Sequence, residues 1–192
     1  MSYRCTLRCF AVAIVLLLLS PAVHAWIADN GNGTYSNPLF YEEFSDPSMM
    51  RVGDDYYLTG TTMHTMPGLP VLHSKDLVNW ELISYAFDRL DLGPDFRLED
   101  GNIYGQGIWA PSFRYNDGTY YIFSNINQHG TQVFRATDPA GPWTHNQLGT
   151  RLYDLSVLFD DDGRIYAVHG VREIHLSELN AEVTDVIPDT DR

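Results

Sequence analysis

One phrase is written three times in this chain, and it restricts the fold more than composition does. It runs from Asp46-Pro47-Ser48 to Tyr56-Tyr57, from Ala110-Pro111-Ser112 to Tyr120-Tyr121, and from Asp154-Leu155-Ser156 to Tyr166. Each copy is a short apolar run, a turn carrying Asp and Gly, and a second run containing Tyr. Apolar alternation broken by such a turn is the signature of a β-hairpin. The serines stand 64 and then 44 residues apart, so the hairpin persists while the insertions vary. Repetition at intervals of tens of residues predicts radially arranged blades rather than one folded sheet. Two of the three copies open with an aspartate and one with alanine. A carboxylate carried in selected copies of a structural repeat points to a site where the copies converge.

A second echo supports the blades. His73-Ser74-Lys75-Asp76 leading to Trp80 is matched by Arg135-Ala136-Thr137-Asp138 leading to Trp143, 62 residues later between the aspartates. An Asp turn followed by a packed Trp suits the outer strands of successive sheets. A weaker third copy, Leu176-Ser177-Glu178-Leu179-Asn180, has no Trp. From residue 46 onward no 3.6-residue period is sustained. The apolar runs are rich in Tyr, Val, Ile, Phe and Trp and are bounded by Gly, Pro, Asn and Asp. The expected class is therefore all-β, with blades at about 46–100, 101–150 and 151–187. Three blades do not close a ring, since propellers have roughly 4 to 8. Val186 to Arg192 reads as a linker toward a further blade, and the chain as the front part of a longer fold.

Residues 1–25 carry the pattern of a secretory signal: Arg4 and Arg8, the apolar run Ala11 to Leu19, then Pro21 and a small-residue exit at Val23-His24-Ala25. The apolar run is too short for a comfortable membrane span. Cleavage there predicts a secreted protein, extracellular or periplasmic, with one domain over 26–192. Both cysteines, Cys5 and Cys9, lie in the segment removed, so disulfides, a thiol nucleophile and a cysteine metal site are excluded from the remainder. Cleavage lowers Lys plus Arg from 12 to 10 and leaves all 25 acidic residues, a net charge of −15. Nucleic acid and anionic membranes require a basic surface and are excluded as partners. A neutral, hydroxyl-rich ligand is compatible with this charge, and 13% aromatic residues suit sugar stacking. Residues 26–45 are turn-rich, with Asn30-Gly-Asn-Gly33 and Asn37-Pro38. Asn32-Gly33-Thr34 fits the N-glycosylation pattern of a eukaryotic secretory route.

Asp46 and Asp154 hold matching positions in the first and third copies, each ahead of a strongly apolar segment that would desolvate a carboxyl group. In a propeller the strands nearest the axis bring such residues into one central funnel. Taken alone, each also fits an Asp that caps a turn. The residues in order carry more. Asp46-Pro47-Ser48, Arg51-Val52-Gly53-Asp54-Asp55-Tyr56-Tyr57, His73 to Trp80, Gly107-Ile108-Trp109-Ala110-Pro111, Asp117-Gly118-Thr119-Tyr120-Tyr121, Tyr153-Asp154-Leu155-Ser156 and Phe159 to Gly163 together resemble the family 43 glycoside hydrolases. These are the β-xylosidase and α-L-arabinofuranosidase group of five-bladed propellers. The resemblance runs from about Asn37 to Leu179.

That resemblance implies hydrolysis of xylosyl or arabinosyl bonds in plant polysaccharide, by inversion; no cofactor is expected, and no metal-binding residue is singled out. It makes Asp46 the general base and Asp154 the aspartate that holds and tunes the general acid. Trp109 and Tyr153 match aromatic positions lining the sugar pocket, and His64 falls in a loop, Met63 to Gly68, that often contacts sugar. In the family the acid is a glutamate, usually in a Glu-Gly-Pro-His-like motif opening the fourth blade, and no such motif occurs in these 192 residues. Glu173 and Glu178 follow the third hairpin too closely, in what reads as its outer strands. The expected activity of this length of chain is therefore low.

Two other readings stand beside this one. The first is a non-catalytic carbohydrate-binding remnant, in which Asp46 and Trp109 serve recognition only. The second is a related propeller transferase or fructan hydrolase with a retaining mechanism, which the Asp-Pro-Ser context fits less well. Asp160-Asp161-Asp162-Gly163 is no EF-hand loop, since the register would put Leu158 first and His169 twelfth. The seven histidines have no close-spaced zinc pattern. Ser48, Ser112 and Ser156 are repeat positions without a Gly-x-Ser-x-Gly elbow.

Overall fold

The computed structural model describes residues 27–42 and 44–192, so the signal-like segment 1–25 lies outside them. The chain divides into two compact units, Met1–Tyr41 and Glu42–Arg192. In the first, the turn residues read from sequence form a small loop closed by an Asp29–Tyr35 bridge. There Asn32 accepts hydrogen bonds from the Thr34 amide and hydroxyl.

The second unit consists of antiparallel sheets made in sequence order. Sheet one is β1 (Ser45–Val52), β2 (Asp55–Thr61), β3 (Gly68–Ser74) and β4 (Glu81–Phe87). Sheet two is β5 (Gly107–Asn116), β6 (Thr119–Ile126), β7 (Gly130–Ala136) and β8 (Thr144–Gln147). Sheet three is β9 (Ser156–Phe159), β10 (Ile165–Gly170) and β11 (Ile174–Leu179). The three repeated phrases are the hairpins β1–β2, β5–β6 and β9–β10. Asp117 and Gly118 both take positive φ, 44° and 81°, the tight turn that the twist of two antiparallel strands favours. Asp160 to Gly163 is likewise a hairpin turn, closed by an Asp160 amide bond to the Arg164 carbonyl.

Sheet two lies between the other two, which explains its sequence. Along β6 and β7 most residues are buried and none is exposed, because neighbouring side chains face opposite sides and both sides are covered. Ile122 and Phe134 join Leu69, Val71 and Phe113 in one core, with Phe134 stacked on Phe87 at 5.4 Å. Phe123 and Val133 join Leu152, Val157, Ile165, Ala167 and Leu179 in another. Burial of each such side chain contributes roughly 1.5–3 kcal/mol.

The repeat serines hold the sheets together. Ser48 Oγ accepts the Phe113 amide at 2.9 Å, and Ser112 Oγ accepts the Val157 amide at 3.1 Å. Each serine thus binds the residue that follows the next serine. Arg114, pushed below its ordinary pKa by burial, reaches the Val157 carbonyl and the Ser156 hydroxyl.

The Asp-to-Trp echo is the turn between the third and fourth strands. Asp76 accepts the Val78 and Asn79 amides, which holds its carboxyl well below the usual range. Asp138 accepts the Ala140 amide, and Trp143 crosses between sheets to Ser84 Oγ at 3.2 Å. In sheet three Asn180 fills the capping role, accepting the Thr184 amide. The last residues differ from the linker read in the sequence. They turn back along β11 through the Leu179–Val186 bridge and paired Leu176–Arg192 backbone bonds, because β11 otherwise leaves its outer edge open.

Candidate active site

The ends of the sheets where β1, β5 and β9 begin share one backbone device. In sheet one Ser45 pairs with Thr61 and Ser48 with Thr59, so Asp46 and Pro47 together face the single residue Gly60. In sheet two Trp109 pairs with Asn125 and Ser112 with Phe123, so Ala110 and Pro111 face Ser124. In sheet three Ser156 pairs with Val168 while the Gly170 amide binds the Tyr153 carbonyl, so Asp154 and Leu155 face His169. This is one β-bulge made three times. Its first residue takes φ of 46° at Asp46, 35° at Ala110 and 53° at Asp154. Left-handed backbone at a residue with a side chain is strained, and Asp is among the few types that tolerate it. A bulge re-aims the residue that opens it, and here it puts two carboxylates and one methyl group at equivalent stations. Both carboxylates are exposed, which corrects the desolvated setting read from the apolar segments behind them. The strand turns them away from that core.

Contacts run between the three sheets at this end. Thr61 Oγ donates to Asp46 Oδ2 at 2.7 Å and accepts the Ala110 amide at 2.8 Å. Met63 and Ile108 exchange backbone bonds of 3.2 and 2.6 Å. Trp109 Nε1 donates to the Met63 sulfur at 2.9 Å, and its ring meets Tyr153 edge-on with centroids 6.4 Å apart. Arg151 lies over the Tyr153 ring at 5.5 Å and binds Asn127. The loop of His64 is at the same end, its ring 4.2 Å from Tyr104 and its Nδ1 3.4 Å from the Gly105 amide, which donates.

Asp46, Trp109 and Tyr153 are therefore joined through Thr61, Ala110 and Met63, with His64 on a neighbouring loop. Asp154 follows Tyr153 directly, and its carboxylate has no hydrogen bond among the described residues. Thr61, Tyr104 and Arg151 have no signal in the sequence, since none sits in a repeated position with its neighbours, and Met63 enters there only as the first residue of the His64 loop. Glu178 lies in β11, its amide bound to Thr190, whereas Glu173 is in the exposed turn between β10 and β11 rather than in a strand. The close approach of Glu173 to Gly170 forces that turn: a methyl group on Gly170 would stand 2.0 Å from the Glu173 carbonyl oxygen. Among the described residues no group of three or more His, Cys, Asp or Glu side chains could hold a metal ion.

A family model for glycosyl hydrolases family 43 matches residues 35–191. The chain belongs to that family. A β-xylosidase of Formosa agariphila is 36% identical over 138 residues, covering 70% of this chain and 23% of that protein. A non-reducing end α-L-arabinofuranosidase of Bacteroides ovatus is 41% identical over 156 residues, covering 78% of this chain and 29% of that protein. In the solved structure of a bifunctional family 43 protein of Bacteroides eggerthii, the match has a TM-score of 0.76 at 41% identity, over 81% of this chain and 20% of that one. The chain thus spans less than a third of each of these three proteins. Its three sheets are about three blades of the family 43 five-bladed propeller, and the triple bulge lies where the innermost strands of those blades begin.

Proposed function

We infer that this family 43 chain carries the base side of a secreted glycosidase that cleaves xylosyl or arabinosyl bonds of plant polysaccharide with inversion. The observation that carries this reading is the pair of bulges that set Asp46 and Asp154 at equivalent stations, at the same end of the sheets as the Trp109–Tyr153 contact. Asp46 has one carboxylate oxygen held by Thr61 and the other without a partner among the described residues. A free, exposed carboxylate oxygen on a fixed stem is suited to take a proton from an attacking water. Trp109 and Tyr153 offer ring surfaces for a pyranose or furanose, and Met63 and Tyr104 extend that wall.

Inversion needs a second carboxyl group about 6.5–9.5 Å from the base, so that sugar and water fit between them. Asp154 is the residue that orients that acid and favours its protonated form, by the repulsion of a neighbouring negative charge. The acid itself is a glutamate from outside these 192 residues. Secretion rests on the signal pattern of residues 1–25, and the acidic surface makes neutral glycans rather than nucleic acids or anionic membranes the partners.

Hydrolysis of 4-nitrophenyl β-xyloside and α-L-arabinofuranoside by protein that includes the segment supplying the acid tests the reading. Asp46→Ala lowers turnover by about 10²–10⁴-fold, the contribution of one general base, with folding retained. Unchanged turnover in that variant removes Asp46 from the chemistry. The acidic composition and the Trp109–Tyr153 ring pair also suit one competing reading, a carbohydrate-binding protein without catalysis. That reading requires xylo- or arabino-oligosaccharide binding that needs Trp109, with no turnover at any enzyme concentration.

A further inference from the structure

The two carboxylates at equivalent bulges are not held alike. At the station paired with the residue just before each bulge, sheet one has Thr61, sheet two Asn125 and sheet three Gly170. Glycine offers no side chain, and Asp154 is left without a hydrogen bond among the described residues. Threonine offers a hydroxyl, and Asp46 is bound by it at 2.7 Å.

The hydroxyl has a single hydrogen, and its bonding determines where that hydrogen goes. Ala110 presents its amide to Thr61 Oγ at 2.8 Å, so the oxygen is an acceptor on that side. Asp46 Oδ2 is the one acceptor on the other side, so the hydrogen points to the carboxylate. Thr61 is β-branched and ends β2, where its χ1 has little freedom. Bonds to a charged acceptor are also the stronger kind. The result is a relay from the Ala110 amide through the Thr61 hydroxyl to Asp46, crossing from the second sheet to the first. It fixes one carboxylate oxygen and leaves the other open.

We propose that Thr61 is a positioning residue for Asp46, holding its carboxylate in the orientation that takes a proton from water and coupling that orientation to the start of the second blade. This rests on the reading of Asp46 as the base. Thr61 touches neither sugar nor water in the reaction and acts through Asp46. The contrast with Asp154, whose station lacks such a hydroxyl, separates a fixed base from an unanchored second carboxylate.

The test has a spectroscopic arm and a kinetic arm, with wild type, Thr61→Val, Thr61→Ser and Asp46→Asn in each. Thr61→Val keeps the shape and loses the hydroxyl, and Thr61→Ser restores the hydroxyl. In the 15N-labelled 192-residue chain, Thr61→Val raises hydrogen exchange at the Ala110 amide about tenfold or more, and Thr61→Ser keeps it slow. Asp46→Asn shifts the Ala110 amide resonance although Asp46 does not touch it, a response that packing by Thr61 would not produce. An Ala110 amide indifferent to both Thr61→Val and Asp46→Asn overturns the relay.

In the aryl glycoside assay, run on protein that includes the segment supplying the acid, Thr61→Val lowers kcat about tenfold or more with KM within about twofold, and Thr61→Ser recovers most of the loss. Wild-type kcat in Thr61→Val alongside a dead Asp46→Asn overturns the positioning role while leaving Asp46 as base. Wild-type turnover in Asp46→Asn instead overturns the reading of Asp46 on which the proposal rests.

Discussion

The three repeat serines occupy the same place in sequence, yet the fold gives them unequal work. Ser112 is 3% exposed and accepts the Val157 amide, which joins sheets two and three. Ser48 is half-buried and does the same for Phe113 between sheets one and two. Ser156 is exposed and accepts only from the Arg114 guanidinium, which keeps bonds to two carbonyls without it. Changing Ser112 to Ala strands a buried amide, a loss of about 1–3 kcal/mol. For a domain of this size each kcal/mol lowers Tm by roughly 2–4 °C, so Ser112→Ala lowers Tm by about 2–12 °C. Ser48→Ala falls toward the lower part of that range, because water can reach part of the site. Ser156→Ala stays within about 0.5 kcal/mol of wild type, as surface substitutions do. Thermal and urea unfolding followed by tryptophan fluorescence and circular dichroism give the order. Equal losses at all three sites, or the largest loss at Ser156, would show that Ser48 and Ser112 do not stabilise the fold by tying their sheets to the next.

Gly107 has φ of 132°, and a methyl group there would stand 2.6 Å from the Asn125 carbonyl oxygen and 2.8 Å from the Ile126 Cα. Gly107→Ala therefore costs at least about 1–3 kcal/mol in backbone strain and displaces Trp109, read as a lower urea midpoint with altered tryptophan emission. Phe134→Ala empties a fully buried position shared with Phe87 and lowers stability by about 3–5 kcal/mol in the same unfolding assay. Burial lowers the pKa of His145, and burial outweighs Asp191 in lowering that of His169, both from an ordinary 6.5. The unfolded chain then binds more protons than the folded one just below 6.5, so stability is full above that pH and declines as pH falls through the folded values. Urea midpoints between pH 8 and 5.5 follow that decline, and His145→Gln with His169→Gln flattens it.

The hairpins, their turns and the matching of Asp46 with Asp154 were legible because β structure writes its period directly into sequence and a repeat writes it again. What joins the copies was not legible. Ser48, Ser112 and Ser156 stood out only as markers of the repeat, since their acceptor roles depend on partners 65, 45 and 42 residues away. The bulge escaped notice because it is a property of pairing: Asp46-Pro47 and Ala110-Pro111 become two-against-one only once Gly60 and Ser124 lie opposite. Exposure of the two aspartates follows from that bulge and reverses what the apolar residues behind them suggest. Thr61 had no signal of its own, because the equivalent stations hold Asn125 and Gly170 and no repeat connects the three. Val186 to Arg192 read as a linker from its Pro, Asp and Thr, while the open edge of β11 gives the backbone of that stretch a partner.

The anomeric form of the first sugar released, followed by proton NMR during hydrolysis of a β-xyloside or an α-L-arabinofuranoside, tests the central claim most directly. The expected product has inverted configuration, with its release slowed about 10²–10⁴-fold by Asp46→Ala. A product of retained configuration, or inverted product released by Asp46→Ala at the wild-type rate, would contradict it.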